Sequence, residues 1–376
     1  MTQLFAQARD ILLARGRPAN PTRDAFLARG RDRRLDWVDI AKGICIMLVV
    51  LMHSALGVEK AGGEPAWLHG FIDWAHPFRM PDFFLISGLF LAARIDRPWA
   101  QYLDTKVLHF AYFYVLWYNI QFVIRMPGMV AESGLEATAL LYLSKYVQPF
   151  GTLWFIYLLA VFFIAAKLMH CMPRWFVLAW AAALHLSAPH TGSIVIDEFC
   201  ERFVFFYTGY AAAGYVMAYA GLLQRLPVRP IAGALLVWAA LNGAAVAAGI
   251  DRMPVIDLVV SYVGIAAVVA TSVLLSRGPL AAGMAYCGRH SIVIYLAFTL
   301  FMAPVRSVLL RLLGAQHADV IGIVVACASI AGALLLRRAV SGTPLRLLFV
   351  RPGWCRMPRS LQKQSVPDSR LRLIQR

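Results

Sequence analysis

Lys42 and His53 stand eleven residues apart in a stretch, Val38 to Ser54, whose only other charged side chain is Asp39. On a helix, eleven residues make three turns plus about 20°, so both side chains fall on one face, about 16 Å apart along the axis. In such an apolar setting an ionisable group is costly to insert and needs a partner or a purpose. Asp39, one turn before Lys42, is placed to neutralise it. Histidine is the side chain whose ordinary pKa suits proton transfer near neutrality, which makes His53 a candidate general base. The plainer alternative has Lys42 snorkelling to the headgroups and His53 capping the far interface.

A second group follows in His76-Pro77-Phe78-Arg79-Met80-Pro81-Asp82 and runs on to Ser87-Gly88 and Arg94-Ile95-Asp96-Arg97. Arg79 and Asp82, three apart, can pair on one helix face. Pro81 bends or starts the helix, and Ser87-Gly88 lets a neighbouring backbone come close. Arg94 and Arg97 present guanidinium forks suited to phosphates; ordinary anchoring at a basic membrane face is the plainer reading. Trp154 reads as an interfacial aromatic, and Asn119 and Gln121 as polar glue between helices. Glu198, Glu201 and Arg202 read as a solvated loop end, with an acceptor pocket as the alternative. Ser291, after His290, is a plausible helix cap. His109, His185, His190 and His317 have no partner identifiable from spacing.

The elements that must hold these groups are set by composition. The chain has 376 residues, of which 60% are hydrophobic and only 15% charged, with a mean hydropathy of +0.65. A soluble domain carries roughly 25% charge and cannot bury this much apolar surface. A soluble enzyme, a fibrous protein and a disordered chain are therefore excluded. The expected class is all-α, a polytopic membrane protein with ten spans at about 38–57, 76–93, 107–124, 150–169, 174–189, 202–221, 231–249, 255–275, 291–312 and 319–336. Most of the 36 Lys and Arg, eight arginines before residue 35 among them, then fall on one side of the bilayer. The positive-inside rule makes that side cytoplasmic, with both termini there. The organisation expected is a basic cytoplasmic arm over 1–35, a membrane domain over 36–340 and a basic cytoplasmic tail over 341–376. The arm lacks the apolar core of a secretory signal, so the first span would start transfer. The net charge of +16 is thereby absorbed by topology and anionic lipid, and no nucleic-acid partner is expected. Six scattered cysteines lack metal or redox spacing and read as buried apolar thiols.

Taken together, these segments resemble the acyltransferase 3 family of integral membrane proteins. A basic residue, ten residues and a histidine recur in the family's first helix, here Lys42 to His53, with Lys where most members carry Arg. The stretch Met80-Pro81-Asp82-Phe83-Phe84-Leu85-Ile86-Ser87-Gly88 and the pair Arg94 and Arg97 are similar to its second motif. Weaker likenesses are Leu153-Trp154-Phe155 and Gly288 to Leu296. The resemblance covers about residues 35–340. It implies transfer of an acyl group, often acetyl or succinyl, from a coenzyme A thioester that is a cosubstrate rather than a bound cofactor. The implied acceptor is a hydroxyl of a surface polysaccharide, a lipid-linked sugar or another extracytoplasmic glycan, and the implied place is a bacterial inner membrane. His53 would be the general base or an acyl carrier, and Lys42 with Arg94 and Arg97 would engage the donor. Arg79 would orient the site or balance the oxyanion, with Asp82, Ser87 and Trp154 completing the substrate contacts.

Three departures bear on that implication. Lys42 keeps the charge of the usual arginine but not its bidentate fork. Ala297-Phe298 follow Tyr295-Leu296 where many members carry a second histidine. Asp82 fills a slot that is usually apolar, either as an acidic ligand or as counter-ion to Arg79. A second transfer step would need a separate partner, since no hydrolase-like domain is read in the chain. The competing class is a transporter or exporter of a small anionic or glycan solute, with Lys42, His53, Arg79 and Asp82 as a charge relay. The oligomeric state is not legible.

Overall fold

The computed structural model describes residues 36–62 and 67–357. The basic arm over 1–35 and the end of the tail over 358–376 lie outside the described residues, as do residues 63–66. Among the described residues all regular structure is helical. In chain order the helices are α1 (Asp36–Lys60), α2 (Trp67–Leu89), α3 (Leu108–Ser144), α4 (Trp154–Leu168), α5 (Arg174–Ser187), α6 (Ile194–Ala211), α7 (Ala213–Leu223), α8 (Val228–Ala247), α9 (Pro254–Leu275), α10 (Ala281–Arg289), α11 (Ser291–Leu313) and α12 (Ala318–Val340). A single turn, Trp99–Tyr102, and a π-helical turn, Leu103–Val107, lead into α3.

Among the described residues, seven segments are long and apolar enough to cross a bilayer: α1, Trp99–Ser144, Gly151–Cys171, α8, α9, α11 and Ala315–Val340. This is a multi-pass membrane protein. Three of the ten expected spans do not reach that standard. The second is α2, which carries Asp73, Arg79 and Asp82 and runs from Trp67 to Leu89, so that residues 90–93 leave the helix. The fifth is α5, only 14 residues long. The sixth is broken at Ala212, where φ −102° and ψ 15° end α6 before α7 begins. Lipid serves as solvent for the outer faces: Leu236 on α8 is 73% exposed, while Asn242 on the same helix is buried against α2.

Small residues set how closely the functional helices approach. A Cβ on Gly88 would collide with the Phe206 carbonyl, and one on Gly209 with that of Leu85, so α2 and α6 cross backbone to backbone. Gly43 and Gly288 allow the same between α1 and α10, against the carbonyls of Met284 and Asp39. Such crossings replace the missing hydrophobic drive with close packing. The core between them is aromatic, with Trp37, Phe84, Phe162, Phe203, Phe206 and Phe298 fully buried.

Proline shapes α2. Pro77 and Pro81 both sit inside the helix and do not start it. Pro81 has no N–H to offer the Pro77 carbonyl. The Ser261 hydroxyl of α9 donates to that carbonyl instead, fastening α2 where it would otherwise be weakest. Ser291 does not cap α11 through its side chain; the chain turns at His290 and Ser291 is the first helical residue.

The described part of the expected tail is docked. Arg351, 7% exposed, donates to the Asp104 carbonyl and carboxylate at 2.7 and 2.8 Å. Tyr112 and Trp117 on α3 donate to the carbonyls of Leu347 and Leu348. Residues 341–357 are thus a strap across the start of α3.

Candidate active site

At the end of the bundle where α1 begins, a cavity of about 370 Å³ opens between α1, α2, the π turn, α4, α10 and α11. Lys42, Arg94, Lys106 and Arg289 bring four positive charges to its lining, with His109, Ser87 and Thr105. Deeper, the wall becomes apolar with Phe83, Phe155, Ile156, Leu159 and Tyr295.

The sequence positions each of these groups in its own way. Lys42 pairs with Asp39 one turn before it at 3.4 Å, and its ammonium lies 4.4 Å from the Phe90 ring centroid. Asp39 also faces Arg289 at 3.9 Å, so one carboxylate serves cations from α1 and α10. That contact depends on the Gly43–Gly288 crossing. Ser87 spends its proton on the Phe83 carbonyl at 2.8 Å, leaving the oxygen lone pairs to the cavity. Lys106 and Thr105 come from the π turn, a distortion that re-aims side chains and recurs at functional sites. Lys106 lies 4.4 Å from the Phe163 centroid and within electrostatic reach of Arg94, Arg97 and Lys42.

Arg97 does not line the cavity, although it adds to the same positive field. Its carbonyl accepts from Lys167 at 2.9 Å, which pins the loop after α2 to α4. His53 also lies outside the cavity. It is half-buried and its ring lies 5.6 Å from that of fully buried Phe298, tilted by 31°, so it looks into the bundle rather than into lipid. Between Lys42 and His53 along α1, the Cys45 thiol donates to Asp82 at 2.6 Å.

The expected Arg79–Asp82 pair does not form. Helical side chains lean toward the N-terminus, and the long Arg79 reaches back to the Ile72 carbonyl at 3.5 Å. The short Asp82 stays at its own level and meets α1. Both keep a buried atom without a hydrogen-bond partner, Nε of Arg79 and Oδ1 of Asp82. Of the six cysteines expected to be buried apolar thiols, Cys45 and Cys200 are buried, Cys45 in a polar contact, while Cys287 and Cys355 are partly exposed and Cys171 and Cys327 exposed. Trp154 opens α4 half-buried, between Phe84 and the Arg202 guanidinium, 5.7 Å from its ring. Asn119 accepts from Tyr142, which the break at Gly134 (φ 79°, ψ 168°) folds back against it, so it does join two helical stretches; both amide atoms of buried Gln121 lack a partner.

Spacing gave no hint of Lys106, His109 or Arg289. The π turn and α10 carry them to Lys42 from more than sixty residues away in sequence. Glu198, Glu201 and Arg202, expected as a loop end, form an ion-paired group on α6, with Glu201 at 2.9 Å from Arg202. Glu201 lines a second, smaller pocket at the opposite end of the bundle.

The described residues thus form a helical membrane bundle with a cationic cavity on the Lys42 face and an imidazole farther along the same helix. Residues 35–338 match the acyltransferase domain family, and the chain belongs to it. Its relatives include a protein named nodulation protein NolL from Sinorhizobium fredii, 26% identical over 54% of this chain and 57% of its own length. Another is inner membrane protein YcfT of Escherichia coli, 25% identical over 35% of this chain and 43% of its own. Nodulation protein NolL of Mesorhizobium japonicum is 29% identical over 42% of each chain. The chain spans about half the length of the curated relatives it matches. No solved structure matches it.

Proposed function

We propose that this protein moves an acyl group, acetyl or succinyl, from a coenzyme A thioester on the cytoplasmic side to a hydroxyl of an envelope glycan or other extracytoplasmic acceptor. The observation that carries the reading is the cavity itself. Four cations at its mouth suit the phosphates of the donor, and the apolar depth suits its long uncharged arm. His53 lies about 16 Å beyond Lys42 along α1, past the Cys45–Asp82 contact that such an arm would displace to reach it.

In the reaction, His53 takes the proton of the acceptor hydroxyl as its oxygen attacks the thioester carbonyl carbon. Arg79 balances the developing oxyanion. The carbon–sulfur bond then breaks, and the proton passes to the departing thiolate, which leaves as the free thiol. An ester and coenzyme A result.

The proposed topology has ten crossings, with α2, α5 and the α6–α7 segment joining the seven apolar ones and both termini cytoplasmic. The concentration of Lys42, Arg94, Lys106, Lys167 and Arg289 at one end supports that sidedness. A relative named as an inner membrane protein supports a bacterial inner membrane.

The test is acyl transfer in membrane vesicles supplied with labelled acetyl-CoA. His53→Ala is expected to lower turnover about 10²- to 10⁴-fold, the usual weight of a general base. Unchanged transfer in the variant removes His53 from the chemistry. Vesicles that accumulate solute without cleaving the thioester would establish the competing transporter reading.

A further inference from the structure

The pocket at the opposite end of the bundle has a volume of about 220 Å³ and is closed by α2, α5, α6 and the start of α9. That is below the roughly 300 Å³ at which drug-sized sites begin, and leaves room for one ring-sized unit. Four carboxylates and three histidines line it. Most of these groups are already committed. Asp197 accepts from the Thr191 backbone and hydroxyl and from Gly192. Glu201 pairs with Arg202. Asp257 meets His185 at 3.2 Å, and the other nitrogen of that ring meets the Glu201 carbonyl at 2.7 Å.

Asp251 is different. It is 5% exposed, lines the pocket, and makes no hydrogen bond or ion pair among the described residues. Its carboxylate opens onto the pocket without a protein partner, which leaves both oxygens free to accept from a ligand there. Beside it Arg252 supplies donors, and His76 and His190 can each donate and accept. An acceptor carboxylate, a guanidinium and two imidazoles around one small space match groups that both donate and accept, which is the property of neighbouring hydroxyls. His76 lies one turn before Arg79 on the same helix, and Arg79 acts electrostatically on both His76 and His53. The pocket therefore lies on the Arg79 side of the bundle, one helical turn away.

We infer that this pocket holds one neutral sugar ring of the acceptor, with Asp251 accepting from a pair of its hydroxyls. The inference rests on the acyltransferase reading for its place in the reaction, but binding can be read without turnover. The purified protein in nanodiscs is probed by saturation-transfer NMR with methyl β-glucopyranoside and, separately, with its uronic acid counterpart. The neutral glycoside is expected to show transfer from the wild type, and the anionic one much less. Asp251→Asn should weaken the neutral glycoside at least about tenfold, the effect of losing a charged hydrogen-bond acceptor. Arg252→Gln, an exposed change that spares the core, should weaken it as well. Absence of transfer in the wild type, or wild-type transfer in both variants, overturns the assignment. Thioester cleavage of labelled acetyl-CoA is measured on the same preparation. Cleavage without glycoside binding sinks the pocket alone, and binding without cleavage sinks the acyltransferase reading alone.

Discussion

The Cys45 thiol donates to Oδ2 of Asp82 at 2.6 Å, joining α1 to α2 at a point where neither residue is more than 1% exposed. It is the polar contact that stands between the cationic cavity and His53 along α1.

The pair makes a prediction about stability with a definite sign. Oδ1 of Asp82 already lacks a partner. Cys45→Ala strips the other oxygen too, and should destabilise the protein by about 1–3 kcal/mol, the cost of an unsatisfied buried group. Asp82→Leu removes the polar group altogether and restores the apolar character of the site, so it should be neutral or stabilising. Combining the two should recover most of the loss. Thermal unfolding in one detergent, compared across the three variants, checks this; additive losses in the double variant would refute it.

Charge at the cavity mouth should govern donor affinity and leave the chemical step alone. Lys42→Met and Lys106→Met should each raise KM for acyl-CoA about tenfold, with a smaller change in kcat. Lys42→Arg keeps the charge and should stay near wild type. The wild-type KM should climb with salt, and the climb should flatten in the Met variants. Initial rates at several ionic strengths decide it, and a KM for Lys106→Met equal to wild type would take the π turn out of donor binding.

Close backbone crossings can be tested apart from catalysis. A valine at Gly88 would press its Cβ against the Phe206 carbonyl, and one at Gly288 against that of Asp39. The colliding atoms are backbone and cannot rotate away, so the helices must separate. Gly88→Val and Gly288→Val should each cost more than the 1–3 kcal/mol usual for overpacking. Folded yield by size-exclusion chromatography should fall sharply for both, while Gly70→Ala, with open space around it, should not affect yield.

Relations local to one helix were the part legible in sequence. Lys42 and Asp39 pair because residues three apart share a face, and the small step at Gly88 does admit a neighbour. The first two motifs located the family for the same reason, being short and continuous. What sequence hid was tertiary. Lys106 reaches the cavity through a π turn that no periodicity announces, and Arg289 through a crossing between helices about 250 residues apart. Arg79 and Asp82 have the spacing of a pair, yet their unequal reach sends them to different neighbours. Hydropathy also overlooked the break at Ala212, because a bend within an apolar run changes conformation without changing composition.

The strap over residues 341–357 is the remaining testable element. Asp104, 5% exposed, accepts from Arg351 at 2.8 Å and from the Met357 backbone at 2.9 Å. Asp104 belongs to the π turn that also presents Thr105 and Lys106 to the cavity. Removing one partner of a buried ion pair costs about 3–5 kcal/mol, because the other charge stays buried alone. Arg351→Ala should therefore loosen the turn before it unfolds the bundle, since Tyr112 and Trp117 still hold the strap through the Leu347 and Leu348 carbonyls. Hydrogen exchange over residues 99–110 should accelerate, with α9 and α11 unchanged. KM for acyl-CoA should rise about as much as in Lys106→Met, and adding Lys106→Met to Arg351→Ala should raise it little further. A variant with faster exchange but wild-type KM would show that the strap serves folding and not the donor site.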